Sequence, residues 1–171
     1  GDPGFAWSLP RSEDEPIALN YTSGTTGRPK GVVYHHRGTF LESLGNIVAW
    51  PMPAHPVYLW TLPLFHCNGW CYPWSVTAMA GTHVCLRAVD PALIFPMITE
   101  HGVTHMCGAP TVFAMLIGAP EEQRRKFAQP VHIMTGGSPP PAKVIQGMEE
   151  LGFRVLHIYG MTELQGPSTL C

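Results

Sequence analysis

The chain has 171 residues, of which 45% are hydrophobic and 13% charged, and its formal net charge is −2 at pH 7. This composition predicts a buried core, and the balance of charge argues against nucleic-acid binding, because phosphate recognition depends on clustered lysine and arginine. Residues 43–86 contain no Asp, Glu, Lys or Arg, but prolines interrupt this stretch so often that no membrane-spanning helix is predicted.

Short apolar runs alternate with helical patterns along most of the chain. In chain order, these patterns predict strands at Ile17–Tyr21 and Val32–Tyr34, a helix at His36–Trp50, strands at Leu59–Leu62 and Thr82–Leu86, a helix at Pro91–Glu100, a strand at Thr104–Cys107, a helix at Pro110–Ile117, a strand at Val131–Met134, a helix at Pro141–Leu151 and a strand at Val155–Tyr159. Asp90 and Gly102 flank the second helix as its expected N-cap and its closing glycine. The alternation predicts an α/β fold with β-sheets flanked by helices, in which ligands bind beyond the carboxyl ends of the strands.

The charged residues and cysteines give weaker indications. The basic run Arg124–Lys126, beside Glu121 and Glu122, is interpreted as a solvated helix face. The cysteines are five in number, no pair has CxxC spacing, and the chain does not open with a signal sequence, so we expect a reduced, cytoplasmic protein with free thiols. No element is predicted after Tyr159, which suggests that the chain is part of a larger protein.

A loop rich in glycines and hydroxyls joins the first two predicted strands, with the sequence Tyr-Thr-Ser-Gly-Thr-Thr-Gly-Arg-Pro-Lys-Gly at positions 21–31. Its glycines let the backbone approach an anion closely, while its hydroxyls and its lysine are donors for phosphate oxygens. A Walker A loop is excluded, because Pro29 stands where the second glycine of that motif would fall and a β-like segment follows. The pattern therefore predicts a hairpin tip that covers a polyphosphate.

Two later segments also follow predicted strands. In Tyr-Gly-Met-Thr-Glu at positions 159–163, Tyr159 offers a flat ring for a base, Thr162 a hydroxyl for a phosphate, and Glu163 a hard oxygen ligand for Mg²⁺. In Gly-Gly-Ser-Pro at positions 136–139, two glycines would let a planar group lie against bare backbone, although the same string also occurs in ordinary turns.

The string at positions 21–31 resembles the signature of the adenylate-forming superfamily, which includes acyl-CoA synthetases, luciferases and peptide-synthetase adenylation domains. The resemblance implies a set of ligands for the β- and γ-phosphates of ATP: Thr22, Ser23, Gly24, Thr25, Thr26, Gly27 and Lys30. It implies that one segment stacks the adenine, holds the α-phosphate and positions Mg²⁺, namely Tyr159, Gly160, Met161, Thr162 and Glu163. Thr22 is implied as a second ligand of the Mg²⁺ ion. It implies one wall of the adenine site and part of the acyl pocket for Gly136, Gly137, Ser138 and Pro139.

A narrower resemblance lies in Phe-His-Cys-Asn-Gly-Trp-Cys-Tyr-Pro-Trp at positions 65–74, which is similar to short- and medium-chain acyl-CoA ligases, including 3-methylmercaptopropionyl-CoA ligases. In the superfamily a Phe-His pair at this place lies at the carboxylate and thioester site, so the resemblance implies that His66 orients the acyl carboxylate. Trp70 and Trp74 have two interpretations, as bulky side chains that shorten an acyl pocket or as core packing.

The implied reaction is the ATP-dependent activation of a short- or medium-chain fatty acid, or a related carboxylic acid, to an acyl-adenylate, followed by thioester formation with coenzyme A. Its implied catalytic residues are His66, Lys30, Thr162 and Glu163, and its implied cofactors are ATP, Mg²⁺ and coenzyme A. Full-length members of the superfamily are longer and add a mobile C-terminal lid. Residues 1–171 are therefore interpreted as a partial AMP-binding (adenylation) domain without the lid, inactive alone. Two alternatives stay open, a non-catalytic nucleotide-binding remnant and an adenylation domain that loads a carrier protein.

Overall fold

The computed structural model describes residues 2–23 and 27–171. In chain order its strands and helices are β1 (Pro16–Thr22), β2 (Lys30–His35), α1 (His36–Ala49), β3 (Val57–Trp60), α2 (Cys67–Trp70), α3 (Tyr72–Ala78), β4 (Thr82–Cys85), α4 (Pro91–His101), β5 (His105–Gly108), α5 (Pro110–Ile117), β6 (Val131–Thr135), α6 (Ala142–Glu150), β7 (Phe153–Met161) and β8 (Gly166–Leu170). Single 3₁₀ turns lie at Glu121–Gln123 and Thr162–Leu164.

The strands form two sheets. A six-stranded sheet has the order β4-β3-β5-β6-β7-β8, in which the first five strands are parallel and β8 is antiparallel to β7. Strands β1 and β2 form a separate antiparallel pair. The predicted α/β fold is confirmed, and so is the hairpin expected around the glycine-rich loop.

Helices pack on both faces of the large sheet, because buried side chains alternate along its central strands. Leu59, Met106 and Ile133 point to one face, into a cluster with side chains of α4, α5 and α6. The neighbouring residues Tyr58, Cys107 and Met134 point to the other face, into a cluster with Tyr72 and Val76 of α3 and with Trp50. The sheet is thus enclosed by helices, and its strand ends are free to carry loops.

Three elements were not predicted, namely α2, α3 and β8. The charge-free stretch 43–86 contains helix α3, whose first turn holds Pro73 where a proline is tolerated. Strand β7 extends to Met161, two residues beyond the predicted end at Tyr159. Within the described residues, no helix is long and apolar enough to cross a bilayer.

The basic run is exposed, as expected, but the prediction that it lies on a helix is wrong. The chain makes one 3₁₀ turn at Glu121–Gln123 and is not helical at Arg124. The Arg124 guanidinium instead donates hydrogen bonds to the carbonyl oxygens of Ile117 (2.7 Å) and Ala119 (3.0 Å), just past the end of α5. These bonds satisfy carbonyls that a helix terminus leaves without partners.

Helix α1 turns its polar side inward. The apolar side chains that gave its helical pattern include Phe40, Leu41, Leu44 and Val48, and all four are exposed. The buried residues of the helix are Thr39, Ser43 and Asn46. Buried polar groups usually have hydrogen-bond partners. The Ser43 hydroxyl donates to the Thr39 carbonyl oxygen within the helix, and the Thr39 hydroxyl has no partner among the described residues. The partner of Asn46 lies at the candidate site described next.

Candidate active site

A cavity of about 380 Å³ opens at the carboxyl ends of strands β3, β5, β6 and β7. This is the edge at which the α/β pattern predicts ligand binding. Its walls include parts of three predicted segments, which carry His66 with Trp70, Gly136, and Thr162. The full set of lining residues is Leu62, His66, Cys67, Trp70, Ala109, Gly136, Gly137, Ser138, Ile158, Gly160, Met161, Thr162 and Gly166.

The two glycines at the end of β6 are required for different reasons. A Cβ atom on Gly136 would lie 3.0 Å from the carbonyl oxygen of Ile158 and would overlap its side chain. Gly137 has a φ of +83°, which favours glycine. Gly136, Gly137 and Ser138 line the cavity, whereas Pro139 lies outside its lining.

The end of β7 and the 3₁₀ turn that follows it form the wall next to the glycine pair. Gly160, Met161 and Thr162 line the cavity, but Tyr159 is outside its lining and its side chain is 58% exposed. The Tyr34 hydroxyl of β2 donates a hydrogen bond to the Thr162 carbonyl oxygen at 2.6 Å. Because burial raises the pKa of Tyr34 far above its ordinary value, this hydroxyl remains a donor at every physiological pH.

Glu163 lies on a second cavity, of about 450 Å³, together with Tyr34, His35, Glu42 and Gln165. The two cavities are neighbours, since Thr162 lines the first and Glu163 the second. The predicted phosphate residue and the predicted metal ligand are therefore separated by one peptide unit and face different spaces.

The β1–β2 hairpin places Lys30 directly across from Thr22, next to the connecting loop. Lys30, Ser23 and Gly27 are exposed, and Thr22 is half-buried. Strand β1 contacts the 3₁₀ turn that carries Glu163, so the predicted metal ligands Thr22 and Glu163 belong to adjacent elements. Gly24, Thr25 and Thr26 lie outside the described residues. The remaining loop residues are not part of the lining of the first cavity.

The segment that carries His66 and Trp70 has a left-handed backbone. Residues 67–71 all have positive φ, with values of 47°, 45°, 59°, 55° and 63°. The Trp70 amide donates to the His66 carbonyl oxygen at 3.3 Å, which is helical spacing, but of the left hand. For residues other than glycine this hand costs about 1–2 kcal/mol each, and such strain concentrates at functional sites. We call residues 67–71, which include the segment α2, the left-handed turn.

The two tryptophans have separate places. Trp70 is 8% exposed and lines the main cavity, as the pocket interpretation requires. Trp74 of α3 lies on a different cavity, of about 220 Å³, with Ile17, Phe40 and Leu44. Of the pair, only Trp70 is placed to limit the length of a ligand in the main cavity.

Sequence reasoning missed four polar residues that support these walls: Asn20, Tyr34, Glu42 and Asn46. Each stands in a strand or helix otherwise rich in apolar residues. A polar residue at a position that the apolar pattern predicts to be buried is the signal that could have found them. Such a residue needs a hydrogen-bond partner, because burial without one is unfavourable.

Glu42 lies behind the left-handed turn. Its Oε1 atom is buried and has no hydrogen-bond partner among the described residues. Burial raises the pKa of this carboxyl from its usual 4.5 to about 7. When folding raises the pKa of a carboxyl, its stabilising effect is complete at a pH below its pKa in the unfolded chain. The effect is lost as the pH rises towards its pKa in the folded protein.

The variant Glu42→Gln should therefore gain stability over the native protein as the pH rises from about 5 to about 7, and the gain should then level off. Because Glu42 is only half-buried, we expect a gain of about 1 kcal/mol. Urea unfolding across this pH range measures it. The control Glu149→Gln removes an exposed carboxylate from α6 and should give a flat difference. A flat difference for Glu42→Gln would contradict the prediction.

Comparisons with known proteins agree with this geometry. The probable acyl-activating enzyme 6 of Arabidopsis thaliana is 54% identical over 171 residues, which are 100% of this chain and 31% of that protein. The 2-methylpropanoate–CoA ligase CCL4 of Humulus lupulus is 53% identical over 171 residues, 100% of this chain and 30% of that protein. The peroxisomal acetate/butyrate–CoA ligase AAE7 of Arabidopsis thaliana is 49% identical over 172 residues, which cover 100% of this chain and 30% of that protein. The chain thus spans about 30% of the length of these relatives.

Solved structures share the fold. The N-terminal domain of FACL13 from Mycobacterium tuberculosis superposes with a TM-score of 0.87 at 24% identity, over 95% of this chain and 41% of that one. The o-succinylbenzoate coenzyme A synthetase of Bacillus subtilis, in complex with ATP and a magnesium ion, superposes with a TM-score of 0.79 at 28% identity. The match covers 94% of this chain and 33% of that one. The family described as AMP-binding enzyme matches residues 5–171. The chain belongs to this family of AMP-binding enzymes.

Proposed function

We propose that the protein carrying this chain activates a small carboxylic acid with ATP and transfers the acyl group to coenzyme A. The observation that carries the proposal is the main cavity, which brings His66 and Trp70 opposite Gly136, Gly137 and Thr162 at the carboxyl edge of the sheet. The names of the relatives, which are CoA ligases for 2-methylpropanoate and for acetate and butyrate, support the same reaction.

In the proposed reaction a carboxylate oxygen attacks the α-phosphorus of ATP. The bond from this phosphorus to the bridging oxygen breaks, and pyrophosphate leaves with the electron pair. The thiol of coenzyme A then attacks the acyl carbon, the carbon–oxygen bond of the mixed anhydride breaks, AMP leaves, and the thiol proton passes to solvent. A free carboxylate has no comparable leaving group, so the first step makes the second possible. The protein contributes positioning and charge stabilisation.

Each predicted residue has a proposed task. Lys30, together with the hydroxyls of the hairpin loop, would bind the β- and γ-phosphates, and Thr162 the α-phosphate. His66 would face the acyl carboxylate, while Tyr159 would stack on the adenine. The exposed ring of Tyr159 is available for stacking.

The residues near the hairpin also fit a magnesium ion. Glu163 and Thr22 supply a carboxylate and a hydroxyl, which are oxygen donors of the kind that Mg²⁺ prefers. Their elements, the 3₁₀ turn and β1, are in contact. When bound, Mg²⁺ would neutralise charge on the phosphates of ATP. The role of the chain is to hold these two oxygen donors next to the phosphate loop.

We further propose a substrate with a short apolar chain. Leu62, Trp70 and Ile158 give the main cavity an apolar wall beside the glycine loop. An indole at the end of such a space excludes several methylene groups. The cytoplasmic location expected from the sequence remains a proposal, since one relative is described as peroxisomal. The division into a partial adenylation domain and a separate lid remains a prediction.

Exchange of labelled pyrophosphate into ATP tests the proposal, with propionate, butyrate, hexanoate, octanoate and 3-methylmercaptopropionate offered to the full gene product. Trp70→Leu should raise the ratio of kcat/KM for hexanoate to that for butyrate by about tenfold, because each buried methylene contributes about 0.8 kcal/mol. Trp74→Leu is the matched control and should leave the ratio unchanged, since Trp74 lies on a different cavity. No exchange with any of the acids would refute the proposed function.

A further inference from the structure

The left-handed turn has no local cause that accounts for it. Only Gly69 and Asn68 belong to the residue types that adopt this backbone readily, whereas Cys67, Trp70 and Cys71 do not. Gly69 is required for a second reason, because a Cβ atom there would overlap the ring of Trp60. The unusual hand must therefore be held by contacts from outside the turn.

Two asparagine amides supply these contacts. Asn46 of α1 is 3% exposed, and its Nδ2 donates to the Trp70 carbonyl oxygen at 2.9 Å. Asn20 of β1 is 6% exposed, and its Nδ2 donates to Oδ1 of Asn68 at 2.6 Å. Both bonds are directed at the left-handed turn from different elements. They explain why polar side chains occupy buried positions in α1 and β1.

The other walls of the main cavity have supports of their own. The Tyr34 hydroxyl donates a hydrogen bond to the turn at Thr162, and the pairing of β6 with β7 fixes the glycine loop. Among the hydrogen bonds of the described residues, the left-handed turn reaches the Thr162 segment only through the thiols of Cys67 and Cys71, which lie 3.6 Å from the Thr162 hydroxyl and 3.4 Å from the Gln165 carbonyl oxygen. We therefore expect a change at Asn46 to move His66 and Trp70 more than the segments assigned to the nucleotide.

We propose that Asn46 is a positioning residue that holds the left-handed turn and so determines binding of the acid, while leaving binding of ATP unaffected. This inference rests on the proposed function and names a residue in α1 that lines no part of the main cavity. Asn46 acts through Trp70 and His66, by donating the one hydrogen bond observed to the Trp70 carbonyl oxygen within the described residues.

The variant Asn46→Leu tests the proposal, because leucine fills a similar volume but donates no hydrogen bond. In the pyrophosphate exchange assay on the full gene product, the KM for butyrate should rise by about tenfold and the KM for ATP should stay within about twofold. The control Ser43→Ala removes another buried polar group of α1, whose hydroxyl bonds only the Thr39 carbonyl of the same helix (2.6 Å), and should change neither KM. An unchanged KM for butyrate, or an equal rise in both constants, would overturn the proposal.

Hydrogen exchange gives a readout that needs no activity. Asn46→Leu should speed amide exchange in residues 66–71 and leave residues 131–138 unchanged. Equal acceleration in both segments would indicate general destabilisation and would overturn the positioning role. If the native protein showed no pyrophosphate exchange with any acid, the proposed function would be refuted. Amide hydrogen exchange would still decide whether Asn46 holds the left-handed turn.

A pair of variants at Asn68 tests the turn itself. Asn68→Ala and Asn68→Gly both lose the bond to Asn20, so they differ only in backbone preference. In a right-handed helix alanine is the more stable of the two, but at a φ of 45° the order should invert. Urea midpoints measure this order. A higher midpoint for Asn68→Ala would show that the turn is not left-handed in solution, which would remove the basis of the proposal.

Discussion

Replacing Lys30 by alanine should lower kcat/KM for acid-dependent pyrophosphate exchange by about 10²–10³-fold, the usual effect of removing one preorganised group that stabilises charge in the transition state. The same change should leave the melting temperature nearly unchanged, because the Lys30 side chain is exposed at the loop end of the hairpin. Lys30 pairs with Thr22 through the backbone, and the substitution keeps that pairing. Kinetics and thermal unfolding of the full gene product measure the two quantities.

The control is Lys143→Ala, which removes an exposed lysine from α6. It should leave both kcat/KM and the melting temperature close to native. If Lys30→Ala were as active as Lys143→Ala, the hairpin would have no role in phosphate binding. A large fall in melting temperature for Lys30→Ala would show that the lysine has a structural role.

Gly160→Ala should destabilise the protein by about 3 kcal/mol or more, because the added carbon has no room and overpacking at backbone atoms cannot be relieved by a rotamer change. The Cβ atom would overlap the Gly166 carbonyl oxygen and lie 3.2 Å from Cα of Pro167. Both neighbours belong to β8, which pairs with β7 at this point through a shift in register. The change would separate β8 from the sheet. Urea unfolding measures the loss.

The matched control is Gly45→Ala in α1. Gly45 is exposed and a Cβ atom there would meet nothing within 4 Å, so the substitution should stabilise the helix by about 0.5–1 kcal/mol. A glycine-to-alanine substitution is thus expected to lower the free energy of unfolding at position 160 and to raise it at position 45. A loss below about 1 kcal/mol for Gly160→Ala would mean that the pairing of β8 with β7 is not maintained in solution.

Local signals explain what the sequence predicted well. Asp90 accepts a hydrogen bond from the Ala92 amide and Gly102 ends α4 with a φ of 62°, as their positions on either side of the helix indicate. The glycine-rich loop between two β-like runs gave the hairpin for the same reason. These features depend on residues close together in the chain.

Contacts between distant parts of the chain explain what was missed. The burial of Asn46 is explained only by the Trp70 carbonyl, and the left-handed turn only by contacts from α1 and β1. Periodicity placed helix α1 correctly, but it indicated the wrong buried side, since the partners of that side come from later in the sequence. Strand β8 was missed because it contains Pro167 and little apolar alternation, and its position depends on pairing with β7.

The main cavity also sets an order of events during folding. The β1–β2 hairpin joins residues close in the chain, whereas Cys67 and Thr162, which meet across the cavity, are 95 positions apart. Closing such a long loop has a large entropic cost, and parallel pairings between distant segments form slowly. We therefore expect the hairpin to form before the main cavity does. During synthesis, we expect a nascent chain to expose the glycine-rich loop well before the cavity exists.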